Sequence, residues 1–169
     1  MRFDRTCKIE DAVDVNNHRS FLRHLYFDAE AKTLTTSDGH LVVVIPVELD
    51  DGDTSGFVSV EAIKAARKVK GSDPTILLKN DVQVVGQIRF PRPDPKIEGE
   101  FPSFKHFMKL GDESTATITF NAALLLKIQR AFGTNGVTLT FNAEDSTSQI
   151  RVSSITGKSL VAVLMPMRQ

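Results

Sequence analysis

Short apolar segments separated by turn residues follow one another along the chain, a pattern typical of an antiparallel β protein. Three segments in succession, HLYFDAE, KTLTTSD and HLVVVIPVEL, each have the length of one strand, and the N-terminal RFDRTCKI is also strand-like. The pair Asp38-Gly39 separates the second and third segments. Because Asp and Gly tolerate the positive φ of a primed turn, the pattern predicts a β-hairpin here.

The period of the pattern changes from two to about 3.6 residues within GFVSVEAIKAARKVKG, which predicts an amphipathic helix of about three turns. The apolar stripe of this helix consists of Val60, Ile63 and Ala66, and Val69 would extend it if the helix continues that far. Ser59 is a suitable N-cap, since its hydroxyl can accept an unpaired N–H of the first turn, and Gly71 is the expected stop. The segments TILLKN, VQVVG and QIRFPRP then predict three further strands.

A connector follows, because Pro91, Pro93 and Pro95 are incompatible with a central strand. The segment EGEFPSFKHFMKLGDEST carries several large apolar side chains that need a packing partner, which indicates an ordered linker. We place the domain boundary within it and predict domains at 1–107 and 108–169. An acidic loop lies earlier, at Asp50, Asp51 and Asp53, and its pattern indicates a solvated turn and not a calcium site.

The strand-helix-strands order recurs in the last third of the chain. A strand, ATITF, precedes a helix capped by Asn121 and ended by Gly133, and Asn121 lies 62 positions after Ser59. The residues expected to face inward are Leu124, Leu125, Ile128 and Phe132. Strands in GVTLTFNA, SQIRVSS and SLVAVLMPM complete the unit. The sequence predicts an α+β fold of repeated βαβββ units, with antiparallel sheets and helices packed on one face. Two unrelated α+β units would give a similar pattern.

Composition excludes several functional classes. The 169 residues include 21 Lys and Arg and 21 Asp and Glu, so no long-range charge attracts nucleic acid or lipid, and any DNA contact requires a local basic face. Neither a membrane span nor a signal peptide is present, which predicts a cytoplasmic protein. Cys7 is the only cysteine, so no internal disulfide is expected, and we interpret it as a small buried or half-buried apolar residue.

Known catalytic and cofactor motifs are absent from the sequence. The four histidines, His18, His24, His40 and His106, have no spacing typical of a metal site. No GxGxxG or GxxxxGK[ST] motif occurs, and no nucleophile with a base is visible. We therefore expect no cofactor, no metal and no catalytic residues, and the sequence favours a binding protein over a small enzyme.

Three segments carry a family resemblance. TTSDGHLVVVIPV, EGEFPSFKHFM and the terminal LVAVLMPMRQ resemble, in order, the hairpin, interdomain connector and C-terminal tail of the bacterial sliding clamp, the β subunit of DNA polymerase III. The chain resembles a shortened member of that family. The first segment, 1–49, lacks the helix expected of a clamp half-domain, and Leu41 stands where the family usually has Arg.

The resemblance implies a DNA-clamp-like fold and a pocket that receives short hydrophobic peptides from DNA polymerases and other replication proteins. Its matching residues are Leu22, Thr36, Gly39, His40, Leu41, Pro102, His106, Phe107, Val163, Met165, Pro166, Met167 and Arg168. Family members contact duplex DNA through inward helices, which implies phosphate contacts without sequence readout. The corresponding cations are Lys64, Arg67, Lys68, Lys70, Lys127 and Arg130.

The resemblance leaves two functions open. One is a DNA polymerase processivity factor that encircles DNA as a homo-oligomer, because one chain supplies too few half-domains to surround a duplex. The other is a clamp-derived adaptor or competitor that keeps the peptide pocket without encircling DNA. The missing first helix favours the adaptor. Neither function involves a membrane.

Overall fold

The computed structural model describes residues 1–103, 118–145, 147–155 and 161–167, apart from the side chain of Ile97. The chain divides between residues 106 and 107 into two compact units. Both units combine antiparallel sheets with a helix, which confirms the predicted α+β class. Within the described ranges, no helix is long and apolar enough to cross a membrane.

The first sheet of unit 1 has four antiparallel strands in the order β3-β2-β1-β4. The strands are β1 (Leu25–Asp28), β2 (Thr33–Ser37), β3 (Val42–Pro46) and β4 (Gly56–Val58). Alternate residues turn to opposite faces, so Leu25, Phe27 and Leu34 lie fully buried in the core. The meander and the hairpin at Asp38-Gly39 are confirmed. The loop has four residues, however, because Ser37 pairs with Val42, and it is not a two-residue primed turn.

Helix α1 (Val60–Lys68) begins as the sequence predicts, with the Ser59 hydroxyl accepting a hydrogen bond from the Ala62 N–H at 3.2 Å. Ile63 and Ala66 are fully buried. The predicted end at Gly71 is wrong, because the helix stops at Lys68 with Val69 already extended and exposed.

The second sheet of unit 1 has the order β5-β6-β7, with β5 (Leu77–Leu78), β6 (Val82–Val85) and β7 (Ile88–Pro91). The sequence places Pro91 in a connector, but Pro91 ends β7. It is tolerated there because β7 is an edge strand. A single helical turn, α2 (Pro95–Glu98), follows, with the Asp94 side chain as its N-cap.

Two buried polar side chains join the sheets of unit 1. The Gln83 amide accepts from the Ser59 N–H at 2.9 Å and donates to the Pro91 carbonyl at 2.8 Å. The Arg92 guanidinium donates to the carbonyls of Phe57, Thr54 and Lys79 at 2.7–2.9 Å and to the Thr54 hydroxyl at 2.8 Å. Burial lowers the pKa of Arg92, and Tyr26 and Asp53 oppose that shift. No described strand of one sheet pairs with a strand of the other, so these side chains and the Thr54 N–H bond to the Leu78 carbonyl connect the two sheets.

The N-terminal segment and the acidic loop differ from prediction. RFDRTCKI is not a strand, since only Arg2 forms bridges, to Glu48 and Thr75, and two 3₁₀ turns follow at Ile9–Ala12 and Ser20–Arg23.

The solvated-turn interpretation of the acidic loop is wrong for Asp53. Its carboxylate is buried and accepts from the Met1 ammonium and from the Leu78 N–H, the latter at 2.9 Å. A buried carboxylate requires such partners.

Unit 2 contains helix α3 (Ala122–Phe132) and a sheet of order β10-β9-β8. Its strands are β8 (Val137–Thr140), β9 (Ile150–Ser154) and β10 (Val161–Leu164). Ile150, Val152 and Leu164 form the buried core. The Asn121 cap and the Gly133 stop are confirmed, with the cap accepting from the Ala123 N–H at 2.9 Å and Gly133 left-handed at φ 60°.

Two predictions for unit 2 are wrong. Residues 118–120 form no strand, although the Thr119 carbonyl accepts from the Met167 N–H at 2.7 Å. Leu124 is exposed, because the inward stripe runs through Leu125, Ile128 and Phe132 and Leu124 lies about 100° away around the helix. A helix followed by a three-stranded meander occurs in both units, but β4 pairs with β1 in another sheet, so the βαβββ repeat stays a prediction.

Candidate peptide-binding and DNA-binding surfaces

The four residues that join β2 to β3, Asp38 to Leu41, form a braced hairpin tip. The Asp38 carboxylate accepts from the N–H groups of His40 and Leu41 at 2.8 and 2.9 Å, and the Ser37 hydroxyl donates to the Leu41 carbonyl at 2.7 Å. Gly39 has φ 96°, a conformation that strains any residue with a Cβ. The tip therefore holds His40 and Leu41 exposed on a fixed backbone.

Sequence reasoning missed Asn17, which braces the tip from a neighbouring loop. Its side chain is buried and donates to the Asp38 carbonyl at 2.9 Å and to the Asp14 carboxylate at 3.2 Å. In the sequence Asn17 is one polar residue among several in a loop, so no pattern distinguishes it. Its contribution depends on tertiary contact with a turn 21 residues away.

Two residues nominated for peptide contact lie beneath this surface. Leu22 is buried, and a Cβ at position 39 would lie 3.7 Å from its Cδ1. Thr36 has no exposed surface, and among the described residues its hydroxyl has no hydrogen-bond partner. Both side chains face the core because alternate residues of a strand, and the apolar side of a 3₁₀ turn, must face inward. Both side chains therefore lie beneath the tip and present almost no surface to a ligand.

The start of the connector packs on the first sheet. The Phe101 ring stacks on Tyr26 with centroids 5.1 Å apart and meets Phe57 edge-on at 6.1 Å. Such aromatic pairs stabilise a fold beyond the area that they bury. Pro102 is exposed. His106, Phe107 and Arg168, which the resemblance also nominates, lie outside the described residues.

An apolar row is exposed along β10 and the residues after it. Val163, Met165 and Met167 are 56%, 63% and 53% exposed, whereas Leu164 between them is buried and Pro166 half-buried. The alternation follows from the two-residue period of an extended chain. We call Val163, Met165 and Met167 the apolar row. A contiguous patch of exposed apolar side chains is typical of a binding surface, and the flexible Met side chain adapts to differently shaped ligands.

The cations of α1 divide between solvent and interior. Lys64 and Lys68, one turn apart, are exposed, as is Lys70 beyond the helix end. Arg67 instead faces inward, where its guanidinium pairs with the largely buried Glu10 carboxylate.

Those contacts hold Arg67 to the N-terminal segment. Its guanidinium donates to the Arg5 carbonyl at 2.6 Å and lies 5.4 Å from the centre of the Phe3 ring. Arg5 in return donates to the Arg67 and Val69 carbonyls at 2.9 and 2.7 Å, at the end of α1. A phosphate could reach Arg67 only by breaking a buried ion pair, so we remove Arg67 from the proposed DNA contacts.

Helix α3 presents Lys127 and Arg130 to solvent, together with Leu124 and Leu126, which are 41% and 47% exposed. Helix α1 itself exposes no large apolar side chain, and the exposed Val69 lies just beyond its end. Among the described residues, no group of three or more His, Cys, Asp or Glu side chains could hold a metal ion.

The Asp38 carboxylate makes the hairpin tip sensitive to acid. The N–H groups of His40 and Leu41 hold the pKa of Asp38 below its ordinary value of 3.8. A depressed folded-state pKa means that the stabilisation is present above 3.8 and is lost as pH falls through the folded value. We expect the amide proton shifts of His40 and Leu41, followed by NMR, to titrate together with a midpoint below 3.8. A midpoint at or above that value, or the same titration in Asp38→Asn, would contradict this geometry.

Comparison with known proteins gives similarity to solved structures. No family model matches the chain, and no curated protein matches it. The structure is similar to the crystal structure of the DNA polymerase III subunit beta from Pseudomonas aeruginosa, with a TM-score of 0.47 and 16% sequence identity. The match covers 95% of this chain and 62% of that one, so the chain spans less than two thirds of the protein that it resembles. A similarity of this degree does not establish family membership or activity.

Proposed function

We propose that this protein binds short hydrophobic peptides of replication proteins, as a clamp-like and non-enzymatic interaction partner. The observation that carries the proposal is the apolar row, Val163, Met165 and Met167, because more than half of each side chain is exposed. The row belongs to the tail segment whose sequence resembles the sliding clamp. Apolar clefts with a few polar groups are typical of peptide and ligand sites.

The hairpin tip supports the same proposal independently. Its backbone is fixed by Asp38, Ser37 and Asn17, and it exposes Leu41 and His40. Preorganised surfaces bind more tightly, because less conformational entropy is lost on association. In this proposal each unit contributes a surface of its own. On unit 1, Leu41 offers apolar contact and His40 and Pro102 offer orienting contacts, and on unit 2 the apolar row offers apolar contact.

DNA binding is the second component of the proposal, and it rests on Lys64, Lys68 and Lys70, with Lys127 and Arg130. We expect replacement of the three α1-region lysines by Gln to weaken association with duplex DNA and to reduce the slope of log K against log salt by about 0.9 per lost phosphate contact. Fluorescence anisotropy with a labelled duplex at several salt concentrations measures both.

The matched control replaces three exposed lysines outside α1, Lys32, Lys79 and Lys96, by Gln, which changes the net charge equally. If both triple variants lose affinity and slope by the same amount, only net charge matters, and the α1 surface has no special role. Equal binding by the wild-type protein and the α1 variant would likewise contradict the assignment.

A ring-forming processivity factor and a non-encircling adaptor remain the two forms of this function. The region before β1 contains two 3₁₀ turns in place of a helix, and Arg67 is turned inward, and both observations favour the adaptor. Retention on circular but not on linear DNA would select the ring. Peptide binding without salt-sensitive DNA association, by a chain that sediments as a monomer at high concentration, would select the adaptor.

A further inference from the structure

One side of β3 has no partner strand among the described residues. β3 lies at the edge of the four-stranded sheet, with β2 on its other side. Just beyond β3, the Val47 N–H donates toward β2, to the Lys32 carbonyl at 3.0 Å. The Glu48 N–H points the opposite way and donates to the Arg2 carbonyl at 2.8 Å. Successive backbone groups of a strand alternate in direction, so this pair of bonds fixes the orientation of every residue in β3.

Counting back from Glu48 identifies the outward-facing groups. The register runs without a bulge from Thr33 paired with Pro46 to Ser37 paired with Val42. The N–H and C=O groups of Val42 and Val44 therefore point away from β2, and Pro46, at the next outward position, has no N–H. Among the described residues no strand pairs with Val42 or Val44 on that side.

The edge lacks the usual protection against pairing. Natural edge strands carry charged residues, bulges or covering segments, whereas Val42–Pro46 has no charge, pairs with no described strand on its outer side, and carries Pro46 at its end. The chain itself shows that this edge accepts an extended segment, because Arg2 exchanges both of its backbone hydrogen bonds with Glu48. The open part continues from there to the hairpin tip.

We propose that a bound peptide adds to this edge as a short antiparallel strand, pairing its backbone with Val42 and Val44. The inference rests on the proposed peptide-binding function and names the backbone contact that the function uses. Val42 and Val44 are half-buried and Leu41 is exposed beside them, so the neighbouring surface suits apolar peptide side chains. Main-chain pairing then provides affinity and the side chains provide selectivity.

The length of the open edge favours a peptide over a second copy of the chain. Val42 and Val44, with which no described strand pairs on the outer side, offer two donors and two acceptors, which suits a segment of a few residues. Symmetric pairing of two β3 edges would bury a strip far smaller than the roughly 1,000 Å² expected of a stable interface. Pro46 would also meet the partner strand and remove a donor from each copy.

Backbone methylation tests the proposal without altering the protein. The probe is a fluorescein-labelled peptide carrying the short hydrophobic motif with which polymerases bind bacterial clamps, together with a series methylated at one backbone nitrogen at a time. We expect methylation at alternate positions to weaken binding at least about fivefold, because each removes one donor and inserts a methyl group into the ladder. Binding of every methylated peptide within about twofold of the parent would overturn the proposal.

A protein variant gives the complementary test. Val44→Pro removes an outward N–H but no bond to β2, and Pro is tolerated at edges, so the fold should persist while affinity falls at least about fivefold. Val44→Thr keeps the N–H and should bind within about twofold of wild type. Tyr26 is the only tyrosine and no tryptophan is present, so tyrosine fluorescence in urea verifies that unit 1 remains folded.

The outcomes separate this inference from the function on which it rests. If the parent peptide binds and Val44→Pro binds equally well, the edge pairing is wrong and the peptide-binding function stands. If the parent peptide does not bind, both are wrong. If wild type is a dimer that Val44→Pro dissociates, the edge is occupied by a second copy and the proposed peptide is not its occupant.

Discussion

Replacing Met165 and Met167 together by Ala is expected to lower affinity for a clamp-motif peptide by about a hundredfold or more. Full burial of a Met side chain against a ligand contributes about 1.5–3 kcal/mol, and truncation to Ala removes most of that contact. Both side chains are more than half exposed in the free protein, so the free energy of unfolding should change by no more than about 0.5 kcal/mol. Fluorescence anisotropy measures the affinity, and circular dichroism in urea measures the stability.

The control for this variant replaces Leu126 and Ile155 together by Ala. These two are also exposed apolar residues of unit 2, at 47% and 61%, but lie outside the tail segment. The control should bind the peptide as wild type does. Unchanged affinity in the Met165 and Met167 variant, with the fold intact, would remove the apolar row from the site. Equal losses in both double variants would mean that binding is non-specific.

Arg92→Met is expected to have the largest effect on stability, about 3 kcal/mol or more. The substitution keeps an apolar stem but leaves the carbonyls of Thr54, Phe57 and Lys79 without their donor in a buried site. Each buried acceptor that loses its partner costs about 1–3 kcal/mol, and the two sheets lose a connection that no pairing between their described strands replaces. Urea titration followed by Tyr26 fluorescence reports the loss, since Tyr26 is the only tyrosine and lies in unit 1.

The control is Arg89→Met, on the exposed part of β7 three residues before Arg92. It removes the same charge and the same side chain, and it should change the free energy of unfolding by no more than about 0.5 kcal/mol. Equal destabilisation by the two variants would show that the charge of Arg92, and not its set of buried hydrogen bonds, matters. No destabilisation by Arg92→Met would contradict the role of Arg92 in joining the sheets.

Local signals in the sequence predicted local structure well. The Ser59 and Asn121 caps, the Gly133 stop and the three-strand meander before the acidic loop all depend on residues within a few positions of one another. The predicted end of α1 is the exception, because the helix stops at Lys68 and not at Gly71. Gly71 has a left-handed φ of 95°, as a stop residue would, but the α1 carbonyls are already bonded by Arg5 and the helix ends earlier.

The errors have a common physical origin in contacts between distant segments. The sequence pattern around Asp53 predicts a solvated acidic residue. In the structure its carboxylate is buried and accepts from the Met1 ammonium, 52 positions away. The helical pattern likewise predicts Arg67 to be an exposed cation, but its guanidinium packs inward against the Glu10 carboxylate and the Phe3 ring. Charge pattern alone cannot distinguish these cases, because a helical spacing defines a face without defining what packs against it.

In the candidate site, too, some residues could be predicted from the sequence and others could not. Leu41, His40, Met165 and Met167 could be nominated from motifs, and all four are exposed. Asn17, which braces the hairpin tip, and the open edge at Val42 and Val44 could not be, because both depend on tertiary contacts and strand register. The candidate residues come from the resemblance to the clamp, whereas the proposed backbone pairing comes from the register of β2 and β3.

The most direct test of peptide binding is a titration of the wild-type protein into a labelled clamp-motif peptide at about 50 and 200 mM salt, with a scrambled peptide of equal composition beside it. We predict saturable binding with one peptide per chain, a dissociation constant that changes less than about threefold between the two salt concentrations, and much weaker binding of the scrambled sequence. Apolar contact and backbone pairing give this insensitivity to salt. Binding that does not saturate, or equal binding of the scrambled peptide, would contradict the proposed function.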